Sequence, residues 1–228
     1  MERKVKKLSA NKLAEYIDAK AVRRASLVKQ QIENTGHPTH YYALAQSAAR
    51  KVLASSSPEG SLKTELKKMG KHPGWGLYPA KLIENNLTAL QGFWNASDGG
   101  LFGSNNTIFR KPRHNPDRLS INDVQVSNRF DLEALKDSPK GLSYGAVKFY
   151  FNKKHPLTDL SGNVLAALLY NAAVDAYGES NVDRKSVLVV DTFDQKVYRP
   201  KPSTKKLLAE VYAAAKEFGL HWDSLIAH

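Results

Sequence analysis

Between Gly145 and Asp191 the sequence changes its hydrophobic period twice. Gly145-Ala-Val-Lys-Phe-Tyr-Phe151 has the β-branched and aromatic content of a strand. Leu160 to Tyr177 then spreads Val164, Leu165, Leu168, Leu169, Ala172 and Val174 over a broad helical surface that Gly178 stops. Ser186-Val-Leu-Val-Val-Asp191 is a nearly continuous apolar run, the pattern of a strand covered on both faces. A strand, a helix and a buried strand in this order confine the region to a small α/β core with the helix laid on the sheet. Thr204 to Phe218 predicts a closing helix, with Trp222 packed near its end.

Two more strands are expected upstream. Leu119 to Ser127 alternates but slips once at Asn122-Asp123, which predicts a strand with a bulge. Phe130 to Leu135 alternates with period two, placing Asp131 and Glu133 on one face and Phe130 and Leu132 on the other. The connectors, including the Asp137-Ser-Pro-Lys-Gly141 turn, are too short for crossovers, so three adjacent antiparallel strands are predicted.

Before Asn95 the chain reads as helical: Leu8 to Glu33, Tyr41 to Ala54, Ser61 to Met69, and Pro79 to Asn95 with Ile83, Leu87, Leu90 and Phe93 as its buried stripe. Residues 96–106, rich in Gly, Ser and Asn, read as a loop. The expected organisation is a basic helical region over residues 1–74 and a core domain over residues 75–228. The fold class is α+β or α/β, a basic helical N-terminal region followed by a small mixed sheet flanked by helices.

Charge narrows the partners. The 228 residues carry 34 Lys and Arg against 22 Asp and Glu, for a formal charge of +12. Residues 1–118 hold +11 of it. A field of this kind favours polyanions, and nucleic acid is the foremost candidate, DNA ahead of RNA. Candidate phosphate contacts are Arg23, Arg24 and Lys29 on the first helix, and Arg110, Lys111, Arg113 and Arg118 in a stretch where two prolines exclude a regular helix. Tyr41, Tyr42 and Trp75 read as packed aromatics ahead of base-stacking ones. The absence of cysteine excludes disulfides, thiolate metal sites and a cysteine nucleophile. No apolar run is long enough for a membrane span and no signal-peptide pattern opens the chain, so a cytoplasmic protein with no membrane partner is expected.

Short catalytic motifs such as GxxxxGK[ST], HExxH and GxSxG are absent. The remaining constellation is Asp131 or Glu133 on one strand with Lys148 on the next. Carboxylate oxygens suit a hard cation such as Mg²⁺, and a neighbouring lysine suits a phosphoryl oxygen. Asp191 reads as the start of a turn ahead of a site residue. In element order, Pro79 to Arg199 resembles the restriction-endonuclease-like PD-(D/E)XK nuclease superfamily, whose core is a helix, three strands, a helix and a fourth strand. The resemblance implies Asp131 in Arg129-Phe-Asp-Leu-Glu133 as the acid of the second strand and Lys148 in Gly145-Ala-Val-Lys148 as the lysine of the third. Ala146 stands where that pattern has its second acid, and Phe130 rather than Pro precedes Asp131. Glu84 or Glu133 would have to supply the missing carboxylate. The expected function is binding to a phosphate backbone. The alternatives are an Mg-dependent nuclease using Asp131, Lys148, Glu133 and Glu84, with Asp131 and Glu133 on the metal, or a non-catalytic assembly subunit with protein partners in a larger system.

Overall fold

The computed structural model describes residues 5–33, 41–74, 79–98, 107–113, 116, 118–138 and 141–226. In chain order these form β1 (Lys6–Ser9), α1 (Ala10–Asp18), α2 (Ala21–Glu33), α3 (Ala43–Leu53), α4 (Pro58–Gly70) and α5 (Pro79–Asp98). They continue with β2 (Thr107–Arg110), β3 (Leu119–Ile121), β4 (Val124–Ser127), β5 (Leu132–Ser138) and β6 (Gly141–Tyr150). The last elements are α6 (Asp159–Tyr177), β7 (Leu188–Asp191), β8 (Lys196–Tyr198) and α7 (Lys205–Ile226). The result is a mixed α+β architecture with two small mixed sheets.

The larger sheet has the order β2-β5-β6-β7-β8. Its pairs are antiparallel except β6 and β7, which run parallel because α6 carries the chain back between them. Alternation along the strands builds two cores. Leu132, Ala134, Val147, Phe149, Leu188 and Val190 face α3, α4 and α5. Ala146, Tyr150, Val187 and Val189 face α6, α1 and α7. α6 is apolar nearly all round because it is enclosed by the sheet and by these two helices. Thr158 caps its N-terminus, and Asp18 of α1 accepts from the Thr158 hydroxyl at 2.6 Å and from Ser161.

Two close approaches fix the packing. A Cβ on Gly145 would lie 2.2 Å from the Ser186 carbonyl oxygen, and one on Gly92 of α5 would lie 2.0 Å from that of Thr192. Both obstacles are backbone, so the side chain must be absent.

The strand assignments differ from expectation at three places. Residues 119–127 are a hairpin, not one bulged strand: Asn122 takes φ 54°, a left-handed conformation asparagine tolerates, and reverses the chain between β3 and β4. This hairpin leaves the main sheet and pairs with β1 in the order β1-β4-β3, with β1 and β4 parallel and Lys6 opposite Val124. Its place beside β5 is taken by β2, a four-residue strand between the expected loop and the basic segment that begins at Arg110. The first helix also divides. Ser9 ends β1 and caps α1 by accepting the Lys12 N–H, and the extended backbone of Ala19 separates α1 from α2.

The first elements therefore join the same cores as the later ones. Leu8, Leu13, Tyr16 and Leu27 pack with Phe218, Trp222 and Val164, while Ala45, Val52 and Leu62 pack with Phe93 and Phe149. Residues 75–78, where the sequence places a boundary, and Trp75 with them, lie outside the described residues. Among the described residues no helix is long and apolar enough to cross a membrane.

Candidate functional site

The five-stranded sheet forks where β5 begins. Asp131 N–H still pairs with the Val147 carbonyl, but upstream of it the chain turns away from β6. The buried Phe149 backbone groups left without a β5 partner are satisfied by side chains instead. Asp131 Oδ2 accepts the Phe149 N–H at 2.8 Å, and Asn11 of α1 donates its amide to the Phe149 carbonyl at 3.4 Å.

Asp131 Oδ1 accepts from Gln46 at 2.6 Å and Arg50 at 2.5 Å, residues four apart on one face of α3. Lys148 is buried on the same sheet face as Ala146 and Tyr150, as its strand parity predicts, and donates to the Arg129 carbonyl at 2.7 Å. Burial pulls the Lys148 ammonium below the usual lysine range; Asp131 opposes that shift, and the Arg50 and Arg129 charges add to it. Asp131 is thus ion-paired with Arg50, while the Lys148 ammonium is held by the Arg129 carbonyl. Asn128, next to Arg129 and 4 % exposed, has both side-chain polar atoms without a hydrogen-bond partner among the described residues.

Glu133 does not join this group. Phe130 packs in the core under α6 and Leu132 in the opposite core, so the predicted alternation is broken at Asp131, which occupies a bend before β5. Asp131 consequently engages α3, whereas fully buried Glu133 accepts from Tyr177 of α6 at 2.7 Å, from Arg110 of β2 at 2.8 Å and from the Arg113 N–H at 2.7 Å. Burial alone would raise the Glu133 carboxyl; the Tyr177 hydroxyl, Arg110 and the Arg113 N–H outweigh it and hold the group below the usual range. Glu84 is exposed on α5. Among the described residues no three His, Asp or Glu side chains group as a metal ion would need. With the Asp131 and Glu133 oxygens already accepting hydrogen bonds, the donor set does not fit Mg²⁺.

The predicted phosphate contacts fall into two classes. Arg23 bonds Glu15, Arg24 bonds both Glu217 oxygens at 2.8 and 2.9 Å, Lys29 lies 3.7 Å from Glu33, Arg110 bonds Glu133 and Arg118 bonds Gln125. Lys111 and the Arg113 side chain are exposed. Tyr42 packs at 5.9 Å on Phe151 and edge-on to Tyr41, a packed cluster. Asp191 starts the β7–β8 turn, accepting the Phe193 and Asp194 N–H groups, and also ties down Leu157 N–H at 2.7 Å.

Gln46, Arg50, Arg129 and Asn11 are the site residues that the sequence did not single out. The i, i+4 spacing of Gln46 and Arg50 was visible; their common target 81 residues downstream of Arg50 was not. No protein-family model matches the chain, and no curated protein matches it.

Proposed function

We propose that this protein binds the phosphate backbone of nucleic acid through the forked end of its larger sheet, on a restriction-endonuclease-like core that does not use a metal. The observation that carries the reading is the basic cluster at the fork: Arg50 stays half-exposed while it pairs with Asp131, and exposed Arg129 stands beside buried Lys148, whose ammonium bonds the Arg129 carbonyl. An anion brought there meets excess positive charge in a partly dry environment, where charge-assisted hydrogen bonds are strongest. The orphaned Asn128 amide adds hydrogen-bonding capacity beside it.

Connectivity supports the comparison of cores. The order α5, antiparallel β2-β5-β6, α6, and β7 parallel to β6 is compatible with the helix, three strands, helix and strand of the PD-(D/E)XK order if the β3–β4 hairpin is taken as an insertion. On that reading Asp131 and Lys148 would be the acid and the lysine. Ala146, which is fully buried, would stand in place of the second acid. Binding without cleavage follows from that replacement and from the hydrogen bonds already made by Asp131 and Glu133.

The test is titration of labelled DNA and RNA over a salt series, beside incubation of linear and supercoiled DNA with Mg²⁺ or Mn²⁺. The expected result is affinity that falls steeply with salt and no strand scission. Salt-independent affinity, or metal-dependent scission lost in K148A, would overturn the reading.

A further inference from the structure

Beyond the fork, β6 runs into a tight turn that places three basic residues at the rim of the sheet. Asn152 Oδ1 accepts the N–H groups of Lys154 at 3.3 Å and His155 at 3.2 Å. The Tyr150 hydroxyl donates to the His155 carbonyl at 2.8 Å, and Asp191 holds Leu157 just beyond. The turn is pinned at both ends while Lys153, Lys154 and His155 remain exposed.

Its three side chains straddle the sheet. Lys153 Nζ lies 3.3 Å from Asn85 Oδ1 on α5, on the Arg50 side. Lys154 and His155 line a cleft of about 390 Å³ with Lys20 and Arg23 from the α1–α2 corner. The acids in this cleft are already engaged: Glu15 by Lys12 and Arg23, Asp18 by Thr158 and Ser161. Lys20, Lys153 and Lys154 make no carboxylate ion pair among the described residues. The cleft adjoins the fork, since Asn11, which bonds Phe149, lies one helical turn before Glu15. Ligands of open sheets gather outside the carboxyl ends of parallel strands, and β6 and β7 both end here.

We infer that the Lys153–Lys154 turn and Lys20 form the rim on which the nucleic-acid backbone lies as it enters the fork. The inference rests on the proposed function and assigns backbone contact to residues other than the Arg110–Arg118 segment. Lysines with no carboxylate ion pair of their own lose little pairing energy when phosphate arrives.

The experiment compares K153E/K154E with K205E/K206E, an equal charge change on two exposed lysines at the start of α7. Affinity for labelled oligonucleotide is read by fluorescence anisotropy over a salt series, with far-UV circular dichroism confirming the fold of each variant. The rim variant should bind at least about tenfold more weakly, with a salt slope shallower by about two contacts, while the α7 variant changes less than about threefold. Equal losses in the two variants would overturn the rim and leave the fork reading standing. Absence of salt-dependent binding in the unaltered protein would overturn both.

Discussion

The Asp131 carboxylate replaces a missing strand: its Oδ2 accepts the Phe149 N–H at 2.8 Å where β5 no longer runs beside β6. Asp131→Asn keeps an acceptor for that N–H but removes the counter-charge of Arg50 and Lys148. We expect a loss of about 2 kcal/mol in chemical denaturation, the scale of one hydrogen bond to a charged group. Nucleic-acid affinity in the presence of chelator should rise several-fold, because the one negative charge at the fork is gone. Weaker binding by D131N would count against phosphate docking there.

Tyr177 and Arg110, both half-buried, close a polar knot around buried Glu133 that joins β5, α6 and β2. Tyr177→Phe removes one donor to a buried carboxylate and should cost about 1–3 kcal/mol. Because the folded carboxyl is held below its unfolded value, its stabilising contribution is present above the ordinary glutamate range, near pH 4.3, and is lost as pH falls through the folded value. The stability gap between the unaltered protein and Glu133→Gln should therefore narrow on acidification. A gap that stays constant below pH ~4 would contradict the assignment of that charge.

Arg24 holds Glu217 of α7 and the carbonyls of Tyr16 and Ile17 at 3.1 Å each. Its substitution by alanine should act on folding. We expect a loss of about 1–2 kcal/mol in denaturant midpoint measurements and an unchanged salt slope for nucleic acid. A slope reduced by about one contact would place Arg24 on the backbone instead.

Gly145→Ala would press a methyl group into the Ser186 carbonyl. A cost of about 3 kcal/mol is expected, since the obstacle is backbone on a neighbouring segment and not a movable side chain. Thermal unfolding of the G145A variant, set beside Gly70→Ala, where nothing lies within 4 Å of the added Cβ, measures it.

The parts of the fold legible in the sequence are those with a long, strong period. β6, α6 and β7 stand where the apolar patterns put them, and Lys148 shares the face that strand parity assigns it. β1 was hidden because Lys6 and Lys7 occupy half of its four residues, and Lys6 is buried only because Asp123 and Asp223 meet its ammonium. β2 was hidden by its length and by the glycines and prolines around it. At the site, Lys148 was readable on its strand, whereas Asp131 lies in a bend before β5 and meets β6 through the Phe149 N–H. Whether a cation is free was not readable: Arg24 and Glu217 are 193 positions apart, and only the packing of α2 on α7 pairs them.

The parallel pairing of β1 with β4 has a consequence for biosynthesis. Lys6 faces Val124, so β1 has no strand partner until the chain has been extended by the 118 positions that separate the two. During that interval Leu8 and Leu13 also lack α6 and α7, against which they pack. At roughly 5–20 residues per second, the nascent N-terminal segment stays unsheltered for several seconds, an opening for holdase chaperones that later segments have less time to need.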